Sequence, residues 1–325
     1  MHENITKHTA RLLVVSCAAL WIATTRAQEP AGPSLTLKQV GPGVWAVLSL
    51  SNAGFVIGDD GVAVIDTLVT ADASGNLSNG HETTKRLLAE IRKLTKLPIK
   101  YVVNTHYHLD HTGGNAVFAG EGAVIVAQHN VREWIHAGNL NLLGKDIKPE
   151  QKAFIEALAP PAVGYDRALD LYLGSRRIQV RSFPGHTGGD SVVLIPDAKA
   201  AFGGDLFWRN TLPNLVDGTS HSWVESLDKL IKDFPDYTFV PGHGDAGRAQ
   251  DFVAFRDYLA LLRKLVAGAQ AQGKSGSQLV EAVAPALTEK YSQWDYFKYF
   301  VERNILDIEA EMAGKKKLPQ TQLMK

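Results

Sequence analysis

The feature that most constrains this chain is a cluster of histidines and acids in the segment 104–114, which reads NTHYHLDHTGG. The segment contains four potential metal ligands: His106, His108, Asp110 and His111. An apolar run at 99–103 comes directly before it and predicts a buried strand. Alternate residues of an extended segment point to the same side, so the first two histidines can direct their rings at one point. The last two ligands follow as the chain turns, so they can reach a second point nearby.

Three later segments offer further ligands of the same kind, each with glycine beside the ligand: Gly185-His186-Thr187, Gly204-Asp205-Leu206 and Gly242-His243-Gly244. Each of them follows a predicted strand, and functional residues are often placed in such connections. Glycine at these positions lets the backbone approach a metal or a substrate closely. Imidazole and carboxylate groups together are ligands for zinc, iron and manganese. The sequence therefore predicts a metal site assembled from four separate segments.

The predicted elements run in the order strands, helix, strands, and then the same order again. The first half has four strands within 35–66 and a helix over 81–96. An irregular connection over 138–165 leads to the second half, which includes a short predicted strand at 200–202. Three helices are predicted at the C-terminal end: roughly 248–271, 276–290 and 294–313. The pattern indicates two β-rich halves facing each other with helices outside.

The order of the ligand segments resembles the pattern of the metallo-β-lactamase superfamily: His-x-His-x-Asp-His, then Gly-His-Thr, Gly-Asp and Gly-His-Gly. The resemblance extends over residues 35–313 and implies an α/β fold, a four-layer αββα sandwich with C-terminal helices. It implies a first metal held by His106, His108 and His186, a second held by Asp110, His111 and His243, and Asp205 as the bridge. The implied cofactors are two zinc ions, with iron or manganese as alternatives.

Asp66 ends the run GVAVID at 61–66 and resembles the acid that lies behind the metal ligands in this superfamily. Its implied role is to accept a hydrogen bond from a liganding imidazole or a backbone N–H group.

The resemblance implies a hydrolase in which a hydroxide bridging the metals, oriented by Asp110 as the catalytic residue, attacks an ester, thioester, lactone or lactam. The ligand set is closest to the glyoxalase II and lactonase type, because Asp205 is available as a bridge. True β-lactamases of the superfamily have cysteine or serine at that position, and one of their subclasses has lysine where this chain has Trp208. A β-lactamase proper is one alternative. A quinoprotein-associated accessory protein that binds metal with little turnover is the other.

The segments that follow the bridging acid are candidates for the substrate groove, together with the loop 70–80. The predicted substrate-binding residues are Arg209, Asn210, His221 and Trp223, whose groups can cover an apolar body while fixing one polar end. Arg209 is the cation placed to meet a substrate anion, and the alternative is an ordinary surface arginine.

The first 27 residues have the pattern of a secretory signal peptide, with Lys7 and Arg11 before an apolar stretch and small residues at its end. The predicted organisation is a signal peptide at 1–27, a metallo-β-lactamase-like domain at 28–314 and a basic tail at 315–325. Removal of the signal takes away the single cysteine, Cys17, which suits an oxidising compartment such as the periplasm. A lipoprotein is the less favoured alternative.

The remaining partner classes follow from composition and length. The apolar stretch of the signal, at 12–23, is shorter than the roughly 20 residues that a permanent membrane span needs. The 34 basic and 34 acidic residues balance, so the charge does not favour nucleic-acid binding. The expected partner is a small-molecule substrate, and the sequence leaves the oligomeric state open.

Overall fold

The computed structural model describes residues 34–69, 77 and 80–319. The predicted signal peptide at 1–27 lies outside these residues, as does the end of the predicted basic tail from 320 onward. Most of the loop 70–80, which was predicted to border the substrate groove, also lies outside them.

Two β-sheets form the centre of the described part of the chain. Within that part, the first sheet has seven strands in sequential order: β1 (Thr36–Gly41), β2 (Val44–Leu48), β3 (Ala53–Ile57), β4 (Val62–Ile65), β5 (Ile99–Val103), β6 (Val124–Gln128) and β7 (Val163–Tyr165). Among the same residues, the second sheet has six strands: β8 (Ala168–Leu173), β9 (Arg176–Ser182), β10 (Ser191–Ile195), β11 (Ala200–Trp208), β12 (Thr238–His243) and β13 (Gly247–Arg248).

The pairing of the strands divides each sheet into antiparallel and parallel parts. Strands β1 to β4 form an antiparallel meander, whereas β4 to β7 are parallel neighbours. In the second sheet β11 and β12 are parallel, and the other neighbouring pairs are antiparallel. Sites in α/β sheets commonly lie outside the carboxyl ends of parallel strands.

The helices lie between the strands and after them. Their bounds are α1 (Glu82–Leu94), α2 (Leu109–Thr112), α3 (Asn115–Gly120), α4 (His129–Trp134), α5 (Ala137–Leu143), α6 (Pro149–Glu156), α7 (Ser220–Asp233), α8 (Val253–Gln270), α9 (Gly276–Tyr291) and α10 (Phe297–Met312). Among the described residues, none of the helices has an apolar stretch of the length needed to cross a membrane.

Apolar side chains hold four layers together. The two sheets pack against each other through a buried cluster to which both contribute, such as Val56 and Ile65 from the first and Ile178 and Val240 from the second. Helices α1 and α3 cover the outer face of the first sheet. Helices α7 to α10 cover the outer face of the second sheet through a larger cluster rich in aromatic residues. The predicted αββα sandwich with C-terminal helices is confirmed.

Two sequence predictions about local structure are wrong. The region 138–165, predicted as irregular, contains most of α5, all of α6 and β7. Helix α6 begins at Pro149, whose missing N–H group costs nothing at a first helical position. Strand β11 does not end near 202 but continues to Trp208, because its parallel pairing with β12 resumes after a shift in register at Gly204, which adopts a φ of +50°. Asp205 therefore lies inside a buried strand and not after one.

The close approach of the two sheets can be tested at Gly54 of β3. A Cβ atom at this position would lie 2.0 Å from Cε1 of Phe202 on the opposite sheet. We expect Gly54→Ala to lower the free energy of unfolding by about 1–3 kcal/mol, because the added methyl group overpacks the interface.

The matched control is Gly268→Ala in α8, where a Cβ atom would meet no described atom within 4 Å apart from the neighbouring backbone of its own helix. This change should raise the free energy of unfolding by about 0.5–1 kcal/mol, since alanine favours the helix. Urea denaturation followed by circular dichroism measures both changes. Unchanged stability of Gly54→Ala would contradict the packing described here.

Candidate metal centre and adjoining cavity

Seven histidine and aspartate side chains from both sheets converge on one region. They form two groups, each with possible ligand atoms within 4.8 Å of one another: His106, His108, His186 and Asp205 in the first group, and Asp110, His111 and His243 in the second. They come from the segment after β5, helix α2, the loop between β9 and β10, strand β11 and the end of β12. Both groups therefore depend on the assembled sandwich.

Asp205 lies between the two groups, with one carboxylate oxygen towards each. Its Oδ2 atom is 3.2 Å from His186 Nε2 and 3.9 Å from His106 Nε2. Its Oδ1 atom is 3.1 Å from His111 Nε2 and 3.6 Å from His243 Nε2. One carboxylate can thus serve both groups at once.

The backbone around Asp205 is held closely by its neighbours. A Cβ atom at Gly242 would lie 1.8 Å from Asp205 Oδ1, so strand β12 can pass here only because residue 242 has no side chain. The indole N–H of Trp208 donates to the carbonyl of Asp205 at 2.8 Å. The Trp208 ring also stacks on His243, with 4.2 Å between the ring centroids. One aromatic side chain therefore positions residues of both groups.

The residues fit a bound cation. Several atoms that could coordinate a metal are buried and lack a hydrogen-bond partner within the described part of the chain: His106 Nε2, His111 Nε2 and Asp205 Oδ1. A buried polar atom without a partner costs about 1–3 kcal/mol, which a coordinated cation would offset. A set of imidazole and carboxylate donors without thiolate suits zinc, iron or manganese.

Burial and neighbouring charges set the protonation of these groups. Burial lowers the pKa of His106 well below its usual value and that of His186 to about 3, so both rings are neutral at pH 7. Burial would raise the pKa of Asp205, but the imidazoles of His243 and His111 outweigh it and hold this pKa well below its usual value. Burial would likewise lower the pKa of His243, but Asp205 and other partners raise it to about 9. A cation must displace that proton, so its affinity should fall as the solution becomes more acidic.

Carboxylate and carbonyl oxygens hold the outward-facing ring nitrogens of three of the five histidines in the two groups. Each of the three nitrogens lies within hydrogen-bond distance of such an oxygen: His111 Nδ1 of Asp66 at 2.8 Å, His243 Nδ1 of Leu50 at 2.7 Å and His108 Nε2 of Asp217 at 3.2 Å. Because an ionised carboxylate or a carbonyl can only accept, each ring must carry its proton on that side. In the neutral form of each ring, which a bound cation would favour, the nitrogen facing the centre then keeps the lone pair that metal coordination requires.

Asp66 connects the first ligand segment to strand β4. Its Oδ1 atom accepts the backbone N–H of Thr105 at 2.8 Å, and its Oδ2 atom accepts the Thr105 hydroxyl at 2.7 Å. Oδ2 also accepts Nδ1 of His111. Asp66 is buried and adopts a φ of +56°, a conformation rare outside glycine. These contacts place Asp66 directly behind His111 and the segment that carries the first candidate ligands.

Asp217 is a functional candidate that the sequence did not reveal. It is 6% exposed, and its Oδ2 atom accepts hydrogen bonds from both the Tyr107 hydroxyl and His108 Nε2. Lys316 donates to the carbonyls of Leu215 and Gly218, each at 2.5 Å, and so fixes the loop that carries Asp217. An acid in a loop such as VDGT has no distinguishing pattern, so only the fold identifies it.

A cavity of about 280 Å³ opens directly over the two groups. Its floor contains candidate ligand residues, among them Asp110 and Asp205. Its walls are formed by Trp208 and Asn214 and by three aromatic residues at the start of α10: Tyr296, Tyr299 and Phe300. The aromatic residues lie about 90 positions beyond Asp205 in the sequence, so no local motif connects them to the centre.

The substrate-binding residues predicted from sequence do not line this cavity. The Arg209 guanidinium donates to the carbonyl of Ala246 at 2.7 Å and lies 3.3 Å from Asp251. Asn210 is exposed, and its carbonyl accepts the N–H of Asp295. Neither side chain contributes to the cavity wall.

The other two predicted substrate contacts lie on α7. His221 is exposed and is 3.4 Å from Glu225 on the same helix. Trp223 is fully buried, with its indole N–H donating to the carbonyl of Leu206 at 3.0 Å and its ring 5.2 Å from the His186 ring. Trp223 therefore supports a candidate ligand from behind and has no surface left for a substrate.

Comparison with known proteins identifies one family. The sequence profile described as the metallo-beta-lactamase superfamily matches residues 47–243, which is more than half of the chain. This range includes every residue of the two ligand groups.

Two curated relatives have related sequences. A linear primary-alkylsulfatase from a Pseudomonas species is 26% identical over 264 residues, covering 69% of this chain and 48% of that protein. A hydroxyacylglutathione hydrolase from Brucella ovis is 29% identical over 146 residues, covering 45% of this chain and 48% of that protein. The chain thus spans about half the length of the curated relatives it matches.

Two solved structures share the fold. A metallo-beta-lactamase from Pontibacter korlensis has a TM-score of 0.57 at 24% identity, covering 70% of this chain and 99% of that one. A stereoselective inverting sec-alkylsulfatase from a Pseudomonas species has a TM-score of 0.65 at 18% identity, covering 86% of this chain and 50% of that one.

The contact between Asp217 and His108 leads to a test of the first group. We expect Asp217→Ala to weaken zinc binding about 10- to 100-fold, because His108 loses the acceptor that holds its proton on Nε2. Asp217→Asn, whose amide oxygen can still accept, should lose less. Competition against a zinc-binding dye measures the affinities.

Asp236→Ala serves as the control, since Asp236 is an exposed acid paired with Lys199. It should bind zinc as the wild type does. If Asp217→Ala folds normally and also binds zinc with wild-type affinity, Asp217 does not position His108.

Proposed function

Because this chain belongs to the metallo-beta-lactamase superfamily, we propose that it is a hydrolase that uses two metal ions to cleave an ester, thioester, lactone or lactam. The observation that carries this proposal is the position of Asp205, with one oxygen towards each of two histidine-containing groups. A single cation cannot use seven ligands, whereas two cations sharing one carboxylate can.

The residues assigned to the first metal are His106, His108 and His186, and those assigned to the second are Asp110, His111 and His243, with Asp205 shared. Bound divalent cations would supply an activated water at neutral pH and polarise the substrate's carbonyl oxygen. We propose zinc as the native metal because borderline zinc accepts both imidazole and carboxylate, and iron and manganese are the alternatives.

We assign Asp110 to positioning the attacking water. Its carboxylate is 40% exposed and borders the cavity, with Oδ2 at 3.3 Å from His111 Nε2 and 3.4 Å from His243 Nε2. An ionised carboxylate in this place can accept a hydrogen bond from the water and hold it towards the substrate. Asp66 and Asp217 then keep the neighbouring imidazoles in the orientation that this requires.

Two residues favour this proposal over a β-lactamase proper. Asp205 occupies the position where β-lactamases of the superfamily have cysteine or serine. Trp208 occupies the position of a lysine in one of their subclasses, and its ring is already stacked on His243. A metal-binding accessory protein would show the same metal centre, and only turnover distinguishes it from a hydrolase.

We further propose that the protein is exported to the periplasm through a signal peptide at residues 1–27. The charged start, the apolar stretch and the small residues at 25–27 support this proposal, as does the loss of Cys17 on cleavage. The domain would then begin at residue 28.

The test is hydrolysis of a matched panel by zinc-loaded protein: 4-nitrophenyl acetate, a simple acyl thioester, a γ-lactone, nitrocefin and a primary alkyl sulfate. We expect turnover of at least one carboxylic substrate, lost with a chelator and restored by zinc. His186→Ala should fall to background, because it removes a ligand, whereas His221→Ala on the exposed face of α7 should retain full activity.

Absence of turnover across the panel by fully zinc-loaded protein would contradict the proposal and favour the accessory role. Cleavage of the sulfate alone would place the protein with the alkylsulfatase relative and contradict the assigned substrate class.

A further inference from the structure

The mouth of the cavity carries an aromatic rim, which consists of Tyr296, Tyr299 and Phe300. Tyr296 precedes α10, and the other two residues lie in its first turn. Tyr296 is 49% exposed and Tyr299 is 71% exposed, although both are large side chains. All three border the same cavity as the ligand residues. The rim is therefore an exposed apolar surface placed next to the centre.

The rim is held in a fixed position relative to Asp205. Beyond the end of β11, the N–H of Leu212 donates to the carbonyl of Asp295, and the N–H of Asp295 donates to the carbonyl of Asn210, each at 2.9 Å. Tyr296 comes next and adopts a φ of +57°, which non-glycine residues rarely do. Such conformations persist where the surrounding structure imposes them, and they cluster at functional sites. The backbone thus turns here so that the aromatic side chains face the cavity.

The described lining of the cavity contains no lysine or arginine. Arg209 is engaged with Ala246 and Asp251, and Lys298, in the same turn as the rim, does not border the cavity. The sequence 70–80 also contains neither residue type. An anionic group on the substrate, away from the reacting bond, would therefore find no lysine or arginine side chain among these residues, and the imidazoles of the lining belong to the two candidate metal-binding groups.

We propose that the cavity binds substrates whose non-reacting part is an uncharged apolar group, alkyl or aryl, which the aromatic rim covers. This inference rests on the proposed hydrolase function and adds the substrate class to it. Asn214 is the polar wall residue: its Oδ1 atom accepts the N–H of Val216 at 3.1 Å, so its amide N–H groups are the part assigned to an uncharged acceptor oxygen of the substrate. A substrate with a charged distal group, such as a peptide thioester, is disfavoured.

The experiment uses zinc-loaded protein and two series of probes. The first series is 4-nitrophenyl acetate, butyrate and hexanoate. Burial of one methylene group corresponds to about a fourfold change, so kcat/KM should rise by about two- to fourfold for each added methylene. The second series is N-methylacetamide against N-hexylacetamide, which resist hydrolysis, with binding measured by calorimetry. We expect the hexyl compound to bind at least tenfold more tightly.

The variants test whether the dependence on chain length comes from the rim or from any exposed aromatic side chain. Tyr299→Ala should reduce the dependence on chain length in both series, since it removes the most exposed ring of the rim. Tyr299→Phe should retain that dependence because it keeps the ring. Tyr172→Ala is the matched control: Tyr172 is also an exposed tyrosine, at 53%, but it lies on β8 and does not border the cavity. It should leave both series unchanged.

The inference is overturned if wild-type protein hydrolyses the esters without dependence on chain length. Equal slopes for Tyr299→Ala and Tyr172→Ala would overturn it as well. If none of the three esters is hydrolysed, the amide series alone decides: tighter binding of the hexyl compound that Tyr299→Ala abolishes supports the apolar site, and equal binding of both amides overturns it. The proposed function itself fails only if no carboxylic substrate of the panel described above is turned over.

Discussion

The carboxylate of Asp205 is the point on which the rest of the site depends. It is buried within β11, and its two oxygens face imidazoles that come from different parts of the chain. A buried charge is tolerated only where partners compensate for the lost hydration. The neighbouring histidines lower the pKa of this carboxyl group in the protein itself, and a pair of cations would compensate it more completely. Two residues keep this carboxylate in place. Gly242 has no side chain and so lets β12 approach Asp205, and Trp208 fixes the backbone of Asp205 through its hydrogen bond.

The packing of the two sheets against each other determines the position of this carboxylate and of the imidazoles around it. Strand β5 delivers the first histidines, β11 delivers Asp205 and β12 delivers His243, so the site forms only where the carboxyl ends of strands from both sheets meet. Asp66, Leu50 and Asp217 are acceptors behind the rings, and each comes from a different element. The orientation of the imidazoles is thus a property of the whole fold. The position of the aromatic rim also depends on the fold, because backbone hydrogen bonds at Asp295 join the rim to the segment after β11.

The sequence predicted the four layers and the segments that converge, because strand and helix periodicities and closely spaced ligands are local signals. It did not predict what long-range packing decides. The pair Gly203-Gly204 predicts the end of a strand, but β11 continues beyond it because it pairs with β12 as far as Trp208. Arg209 and Trp223 were assigned to the substrate groove because they follow Asp205 closely, yet one binds Ala246 and the other is buried behind His186. Asp217 and Tyr299 are ordinary residues in sequence and reach the site only through the fold.

The number of metal ions bound per chain tests the central claim most directly. Elemental analysis after zinc loading and removal of free metal should give two ions for the wild type and for His221→Ala. It should give about one for His243→Ala, since the second group then keeps two of its own ligands and loses the third. A wild-type value that never exceeds one, or an unchanged value of two in His243→Ala, would contradict the account of two groups sharing Asp205.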